Sequence, residues 1–230
     1  MNDKLMDDKD PYVITIDGPG GSGKGSLALH IAKTMGFHLL DSGAIYRLLA
    51  LKALRQGVDL DNQDALCDLL DDLDIRFETG DELSIAFLDN EDVSAELRSE
   101  KTGDAASRLA RHGPVRAGLL AVQRAFFKAP GLVADGRDMG TEVFPEARYK
   151  FFLYASVEIR AQRRYKQLIN MGLSASIAEL QAEISERDER DQNREASPLV
   201  PAEDALVVDS SLLNLEQVTE LVLSHIKDNG

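Results

Sequence analysis

The sequence predicts an α/β fold, with a five-stranded parallel sheet flanked by helices and a small antiparallel three-stranded insertion. Three observations lead there. Strand-like runs recur at Tyr12–Asp17, His38–Asp41, Leu132–Asp135, Lys150–Ala155 and Ala205–Asp209, with helical patterns between most of them, and that alternation is the mark of a parallel sheet wrapped by helices. The segments VITI, FFLY and LVV are apolar throughout instead of alternating, as strands covered on both faces must be. The first run also breaks into a glycine-rich turn that leads directly into a helical pattern.

Taken in order, MNDKLMDDKD lacks the basic and apolar regions of a signal peptide and reads as a disordered tail, residues 1–11, ahead of a single domain over 12–230. Val13 to Ile16 form a buried strand, and Leu27 to Met35 form the helix that follows the turn. The second strand ends at Asp41, and Asp41-Ser42-Gly43 opens a helix carrying Tyr46 and Arg47. From Asp74 to Arg98 three short strand-like pieces, with turns at Thr79-Gly80-Asp81 and Asp89-Asn90, make the antiparallel insertion, about 72–100. Helices follow near Lys101–Arg111 and Pro114–Lys128, the second with proline suited to a first turn. Ser176-x-x-Glu179 is a capping-box pattern for a helix to about Arg194. Asn214-x-x-Gln217 starts the last helix.

A chain of 230 residues can bury one substantial core. A net charge of −14 argues against nucleic acid or an anionic membrane as partner. Against that background, 13 of the 16 arginines lie between Arg98 and Arg194, which suits a pocket for a small polyanion. Cys67 is the only cysteine, so no intrachain disulfide forms and a reducing compartment, the cytoplasm, fits best. No apolar run approaches the roughly 18 residues of a membrane span. The four histidines, His30, His38, His112 and His225, have no metal-ligand spacing.

The turn carries the chemistry. Gly18-x-x-x-x-Gly23-Lys24 lets successive backbone N–H groups face phosphate oxygens, and Lys24 stands at the positive end of a helix. The candidate ATP-binding loop is therefore Gly18, Pro19, Gly20, Gly21, Ser22, Gly23, Lys24, Gly25 and Ser26. Together with the sheet it predicts a P-loop NTPase core. In the usual motif Ser or Thr follows the lysine; here Gly25 intervenes and the hydroxyl comes at Ser26, so whether Mg²⁺ is held directly or through water stays open. Asp135, at the end of a strand, is the second candidate metal ligand, commonly through water.

Two arginine groups come next. Arg160, Arg163 and Arg164 share a helical face, where like charges repel by about 0.2–0.5 kcal/mol per pair unless an anion joins them. ATP phosphates are that expected anion. Arg187, Arg190 and Arg194 follow with Asp188 and Asp191 alongside, as either a lid or a set of surface ion pairs. Ser42, Tyr46 and Arg47 suit a second, smaller phosphate ester, the alternative being an ordinary helix start capped by Ser42. Arg137 and Asp138, donor fork and acceptor, suit a base edge bearing carbonyl and amine.

GPGGSGKGS, LLDSGAIYR, ADGRDMG and ERDERDQNR, in that order, resemble the bacterial cytidylate kinases from about Tyr12 to the C-terminus. The resemblance implies transfer of the γ-phosphoryl group of ATP to CMP or dCMP, with Mg²⁺, in a monomeric cytoplasmic enzyme with a helical lid spanning about 157–196. It implies Ser42, Tyr46 and Arg47 in the monophosphate site, Ser107, Arg137 and Asp138 on cytosine, Arg116, Arg187 and Arg194 near the acceptor phosphate, and Asp191 near the ribose. The groups expected to carry catalysis are Lys24, Arg137, Arg160, Arg164, Arg187 and Arg194. A kinase for UMP, dTMP or AMP on the same core is the nearest rival, and a nucleotide-binding switch the more distant one.

Overall fold

The computed structural model describes residues 10–78, 85–170 and 172–230. The expected disordered tail, apart from Asp10 and Pro11, and the expected turn at Thr79-Gly80-Asp81 lie outside the described residues. In chain order the elements are β1 (Tyr12–Asp17), α1 (Lys24–Met35), β2 (His38–Asp41), α2 (Ser42–Gln56) and α3 (Gln63–Asp71). Next come β3 (Ile75–Glu78), β4 (Ile85–Leu88), β5 (Glu91–Asp92), α4 (Ser94–Leu97), α5 (Glu100–Leu109) and α6 (Gly113–Arg124). The chain continues with β6 (Gly131–Gly136), a single π-helical turn (Met139–Val143), β7 (Tyr149–Tyr154), α7 (Val157–Asn170), α8 (Ile177–Asn193), β8 (Leu206–Asp209) and α9 (Leu215–Asp228). These fall into two compact units, Met1–Leu40 with Phe126–Gly230, and Asp41–Ala125.

The first unit is built on a five-stranded sheet in the order β2-β6-β1-β7-β8. The β1–β6, β1–β7 and β7–β8 pairings are parallel. The crossovers that a parallel ladder requires are the helical segments the alternation predicted. Ile14 and Ile16, two apart on β1, point to one side and bury completely with Leu27 and Ile31 of α1 and with Val222 of α9. Each such side chain contributes roughly 1.5–3 kcal/mol, so α1 and α9 are fixed by their apolar stripes. Asn214 and Gln217 form a full capping box at the start of α9, and Ser176 accepts from the Glu179 amide at the start of α8.

Register decides what gathers at the carboxyl ends. Ile16 pairs with Asp135, Asp17 with Gly136 on one side and with Phe152 on the other. The glycine-rich turn after β1 and the segment from Asp135 to Asp138 at the end of β6 thus lie side by side at the ends of neighbouring strands, where α/β sheets collect ligands.

The second unit holds the three-stranded antiparallel sheet, order β3-β4-β5, with Leu48, Leu51, Leu88, Val93 and Leu97 in its core. The expected insertion is this sheet. The sixth helix stops at Arg124, with Ala125 as its C-cap, short of the expected Lys128.

At the start of β6, a Cβ on Gly131 would lie 2.5 Å from the Phe37 ring, which packs edge-on against Tyr12. Gly131→Ala is therefore expected to cost about 1–3 kcal/mol by overpacking. In a Phe37→Ala background the same substitution is expected to cost under about 1 kcal/mol, a coupling that urea unfolding of the double-mutant cycle measures.

Candidate active site

The turn between β1 and α1 ends in Gly23, whose φ of 97° and place before Lys24 leave the N-terminus of α1 without a side-chain cap. No acidic residue occupies that first turn. The first-turn N–H groups, with no side-chain cap, and the positive end of the helix favour an anion at this place. The turn begins equally constrained: Gly18 has φ 149°, and a Cβ there would strike the Leu153 carbonyl oxygen. By contrast α2 is capped by Asp41, which accepts from the Ala44 amide at 2.9 Å. The cap is thus Asp41 rather than Ser42, because the carboxylate one residue earlier already reaches the first turn.

Lys24 is buried, with Nζ donating to the Pro19 carbonyl at 3.4 Å and lying 3.8 Å from Asp135 Oδ1. Ser22 Oγ is buried with no hydrogen-bond partner. A Cβ on Gly25 would come within 3.1 Å of Asp135 Oδ2, which explains why glycine follows the lysine and the hydroxyl is deferred to exposed Ser26. The donor set near this turn, the Asp135 carboxylate and the Ser26 hydroxyl, is all oxygen and so fits a hard cation such as Mg²⁺. Among the described residues no group of three or more His, Cys, Asp or Glu is placed to hold a metal, so such a cation would draw its remaining ligands from phosphate and water.

The arginines cluster around the same turn. Arg160 is 3% exposed; its Nε donates to the Ala155 carbonyl at 2.8 Å, and its Nη1 to the Gly20 carbonyl and Asp188 Oδ1, each at 3.0 Å, while Nη2 pairs with Asp188 Oδ2. Removing one member of so buried a pair would cost about 3–5 kcal/mol. Arg163 donates to the Ser22 carbonyl at 3.0 Å and to Ser210. The crowding of Arg160, Arg163 and Arg164 is therefore relieved by protein oxygens. Asp188 and backbone carbonyls answer Arg160 and Arg163, and Arg164 turns to Gln167 Oε1 at 2.7 Å.

Arg137 Nε donates to Asp191 Oδ2 at 2.5 Å, and Arg137 Nη2 and Arg187 Nη1 lie 3.4 and 3.9 Å from a Cβ built on Gly20. Both guanidiniums so reach the phosphate turn. Burial works against the charge on Arg137, yet Asp191, with Asp135 and Asp188 behind it, holds its pKa above the ordinary value. Burial likewise pushes Asp191 up, and Arg137, Arg187 and Arg194 together hold it down. Asp191 is only 4% exposed, so the ERDERDQNR segment is not a set of surface ion pairs. Arg194 Nε donates to the Ser197 carbonyl. Asp138, on the same turn as Arg137, is buried.

In the second unit, buried Ser42 Oγ accepts from Gln123 Nε2 at 3.3 Å. The Arg116 guanidinium lies 5.5 Å from the centre of the Tyr46 ring and donates to the Ala110 carbonyl. Arg47 donates to the Leu97 carbonyl, and a Cβ on Gly103 would come within 3.0 Å of its Nη2. Ser107 is buried on α5.

A family model described as cytidylate kinase matches residues 14–228. The chain belongs to the cytidylate kinase family. A cytidylate kinase of Vibrio parahaemolyticus is 55% identical over 215 residues, covering 94% of this chain and 95% of its own length. One of Paraburkholderia phytofirmans is 57% identical over 211 residues, covering 92% and 91%. Among solved structures, a gluconokinase of Sinorhizobium meliloti 1021 superposes with a TM-score of 0.48 at 16% identity, covering 96% of this chain and 94% of its own.

Within each unit, several residues that contact the candidate groups carry no sequence signal of their own. Asp188 and Ser210 emerge only from the packing of α7 against the phosphate turn, and Gln123 and Gly103 only from the packing around Ser42 and Arg47. Asp17 had a faint one, as one of four strand ends in aspartate. Its oxygens accept from the Met139 and Gly140 amides, both at 2.8 Å. Burial, outweighing these two bonds, pushes its pKa from 3.8 to about 7. Between those values the folded chain binds the extra proton, so the stability this proton confers is complete below about pH 4 and is lost as pH rises through about 7. Asp17→Asn removes the titration. The stability difference between the unaltered chain and Asp17→Asn, measured by urea unfolding at pH 5.5 and 8.5, is expected to move by a few kcal/mol against the unaltered chain at the higher pH.

Proposed function

We propose that the chain transfers the γ-phosphoryl group of ATP to CMP or dCMP, giving CDP or dCDP and ADP, in pyrimidine nucleotide metabolism. The observation that carries this reading is the cytidylate kinase match along residues 14–228, joined to an uncapped helix N-terminus with Lys24 and Asp135 beside it. Phosphoryl transfer asks little covalent work of a protein, so positioning and charge must supply most of the rate.

In this reading the amides of Gly18 to Ser26 hold the ATP phosphates and Lys24 follows negative charge as it moves from the γ- to the β-phosphate. Arg160 and Arg163 stiffen the turn through its carbonyls, and Arg160 and Arg164 also face the nucleotide. Mg²⁺, when bound with ATP, neutralises charge between the β- and γ-phosphates; Asp135 and Ser26 would hold it. On the acceptor side, Ser42, Tyr46, Arg47, Arg116, Arg187 and Arg194 take the monophosphate and its surroundings, Ser107, Arg137 and Asp138 the cytosine, and Asp191 the ribose. An oxygen of the acceptor phosphate, already ionised, forms the new P–O bond as the bond to ADP breaks, and no general base is needed. The segment about 157–196 acts as a lid that keeps water from competing as acceptor.

Among the described residues no helix is long and apolar enough to cross a membrane. The acidic composition argues against a nucleic-acid partner and the single cysteine fits a reducing cytoplasm; the monomeric state is the expectation that membership of the family brings.

Two measurements test this. ADP formation from ATP–Mg²⁺ with CMP, dCMP, UMP, dTMP, AMP and GMP offered separately is expected to show strong turnover with CMP and dCMP alone. Preference for another monophosphate would overturn the assignments of Ser107, Arg137 and Asp138, and turnover with none would favour a nucleotide-binding switch. Lys24→Met is expected to lower kcat by about a hundredfold or more, the scale of one lost charge-stabilising donor, with ATP affinity changed much less. Near-normal turnover at saturating substrates would remove Lys24 from the catalytic groups.

A further inference from the structure

Asp17 sits between two functional segments and belongs to neither. It is the last residue of β1, directly before Gly18 and the phosphate turn. It pairs in register with Gly136, the last residue of β6. Arg137 and Asp138 follow Gly136, and the next two residues, Met139 and Gly140, open the π-helical turn. That turn has no side-chain cap of its own, because Asp138 makes none. Its first two amides instead donate to the two carboxylate oxygens of Asp17, Met139 N to Oδ1 and Gly140 N to Oδ2, each at 2.8 Å. One carboxylate from a neighbouring strand thus does the work of a helix cap across more than a hundred residues of sequence.

The grip is tight on the far side as well. A Cβ on Gly140 would lie 2.9 Å from Thr15 Oγ1, 3.2 Å from Lys150 Cδ and 3.4 Å from Asp17 Oδ2. The backbone after Asp138 therefore lies pressed onto β1 with no room for a side chain. The charged groups acting on Asp17 are Asp138, which repels it, and Lys24, which attracts it. Arg137 and Asp138 are anchored on one side by the β6 ladder and on the other by these two hydrogen bonds, beside the turn's own bonds from the Glu142 and Val143 amides to the Asp138 carbonyl and from the Phe144 amide to the Met139 carbonyl.

We propose that Asp17 is a positioning residue for acceptor specificity: by holding the Met139 and Gly140 amides it sets the backbone that presents Arg137 and Asp138 to the acceptor base. This rests on the reading of Arg137 and Asp138 as the base-contacting pair. The conservative variant Asp17→Asn keeps one acceptor oxygen and turns an NH₂ group against the second amide, so one of the two bonds is lost and replaced by a donor–donor contact. A lost hydrogen bond to a charged group corresponds to about a tenfold effect or more.

The test is steady-state kinetics of the full chain with ATP–Mg²⁺ and either CMP or UMP. Asp17→Asn is expected to raise the KM for CMP about tenfold or more, to leave the KM for ATP within about twofold, and to narrow the CMP-over-UMP ratio of kcat/KM by a similar factor. Gly140→Ala, which pushes the same backbone off the carboxylate from the other side, is expected to give the same pattern and decides the matter if Asp17→Asn does not fold. If neither folds, amide hydrogen exchange of the unaltered chain decides it: CMP, and not ATP alone, is expected to slow exchange at Met139 and Gly140. An unchanged KM for CMP, a KM for ATP that rises in step with it, or exchange slowed equally by ATP alone would each overturn the proposal. Absence of turnover with CMP in the unaltered chain would instead overturn the functional reading on which it rests.

Discussion

Everything at the candidate site depends on the N-terminus of α1 being left open. Most helices of this chain close their first turn with a side chain: Asp41, Asn62, Ser99, Ser176 and Asn214 each accept from an amide of the helix they precede. At α1 the corresponding residue is Gly23, in a left-handed conformation and without a side chain to offer. A missing side-chain cap costs on the order of 1 kcal/mol, and it leaves the positive end of the helix open to an anion. Surrounding groups hold the turn in that state. Arg160 and Arg163 tie the turn's carbonyls to α7, and Ser210 bonds the Ser22 carbonyl at 2.9 Å.

A second economy concerns the arginines. An acidic chain cannot bring several guanidiniums to one turn without a way to keep them apart when no polyanion is present. The structure solves this with two carboxylates on α8, Asp188 against Arg160 and Asp191 against Arg137. Both pairs are largely shielded from water, so they act as internal counterions and orient the planes of the guanidiniums. The same helix carries Arg187, and Arg194 follows as its C-cap; with Arg137 their charges hold the pKa of Asp191 down. Helix α8 thus supplies both signs of charge at the place where phosphate chemistry is proposed.

Much of the fold was legible because its strands are short, apolar and separated by glycine or aspartate. Each of the five runs lies within about a residue of an observed strand, and the antiparallel piece was betrayed by turn residues such as Asp89-Asn90, both of which adopt positive φ. The phosphate turn was legible because glycine spacing is a backbone requirement that sequence states directly. What sequence could not state is who answers whom. Three arginines at helical spacing look like an unmet charge, yet all three already bond protein oxygens, and the partner that matters most, Asp188, lies 28 residues away from Arg160. Asp17 is the same lesson at greater range: its meaning depends on the register of β1 with β6, a long-range pairing that no local pattern encodes. Gly25, which read as a departure from the usual motif, becomes intelligible only when Asp135 is seen to fill the space its side chain would need.

The openness of the α1 N-terminus can be tested without any assumption about the acceptor. Backbone amide signals of the unaltered chain, followed by NMR during titration with ATP, are predicted to shift most at Gly21 to Ser26, with the capped first turn of α2 at Ala44 shifting little. Binding of ATP with the Gly21–Ser26 amides unmoved would contradict the view that this helix end is the phosphate site, and with it the chemistry built on Lys24 and Asp135.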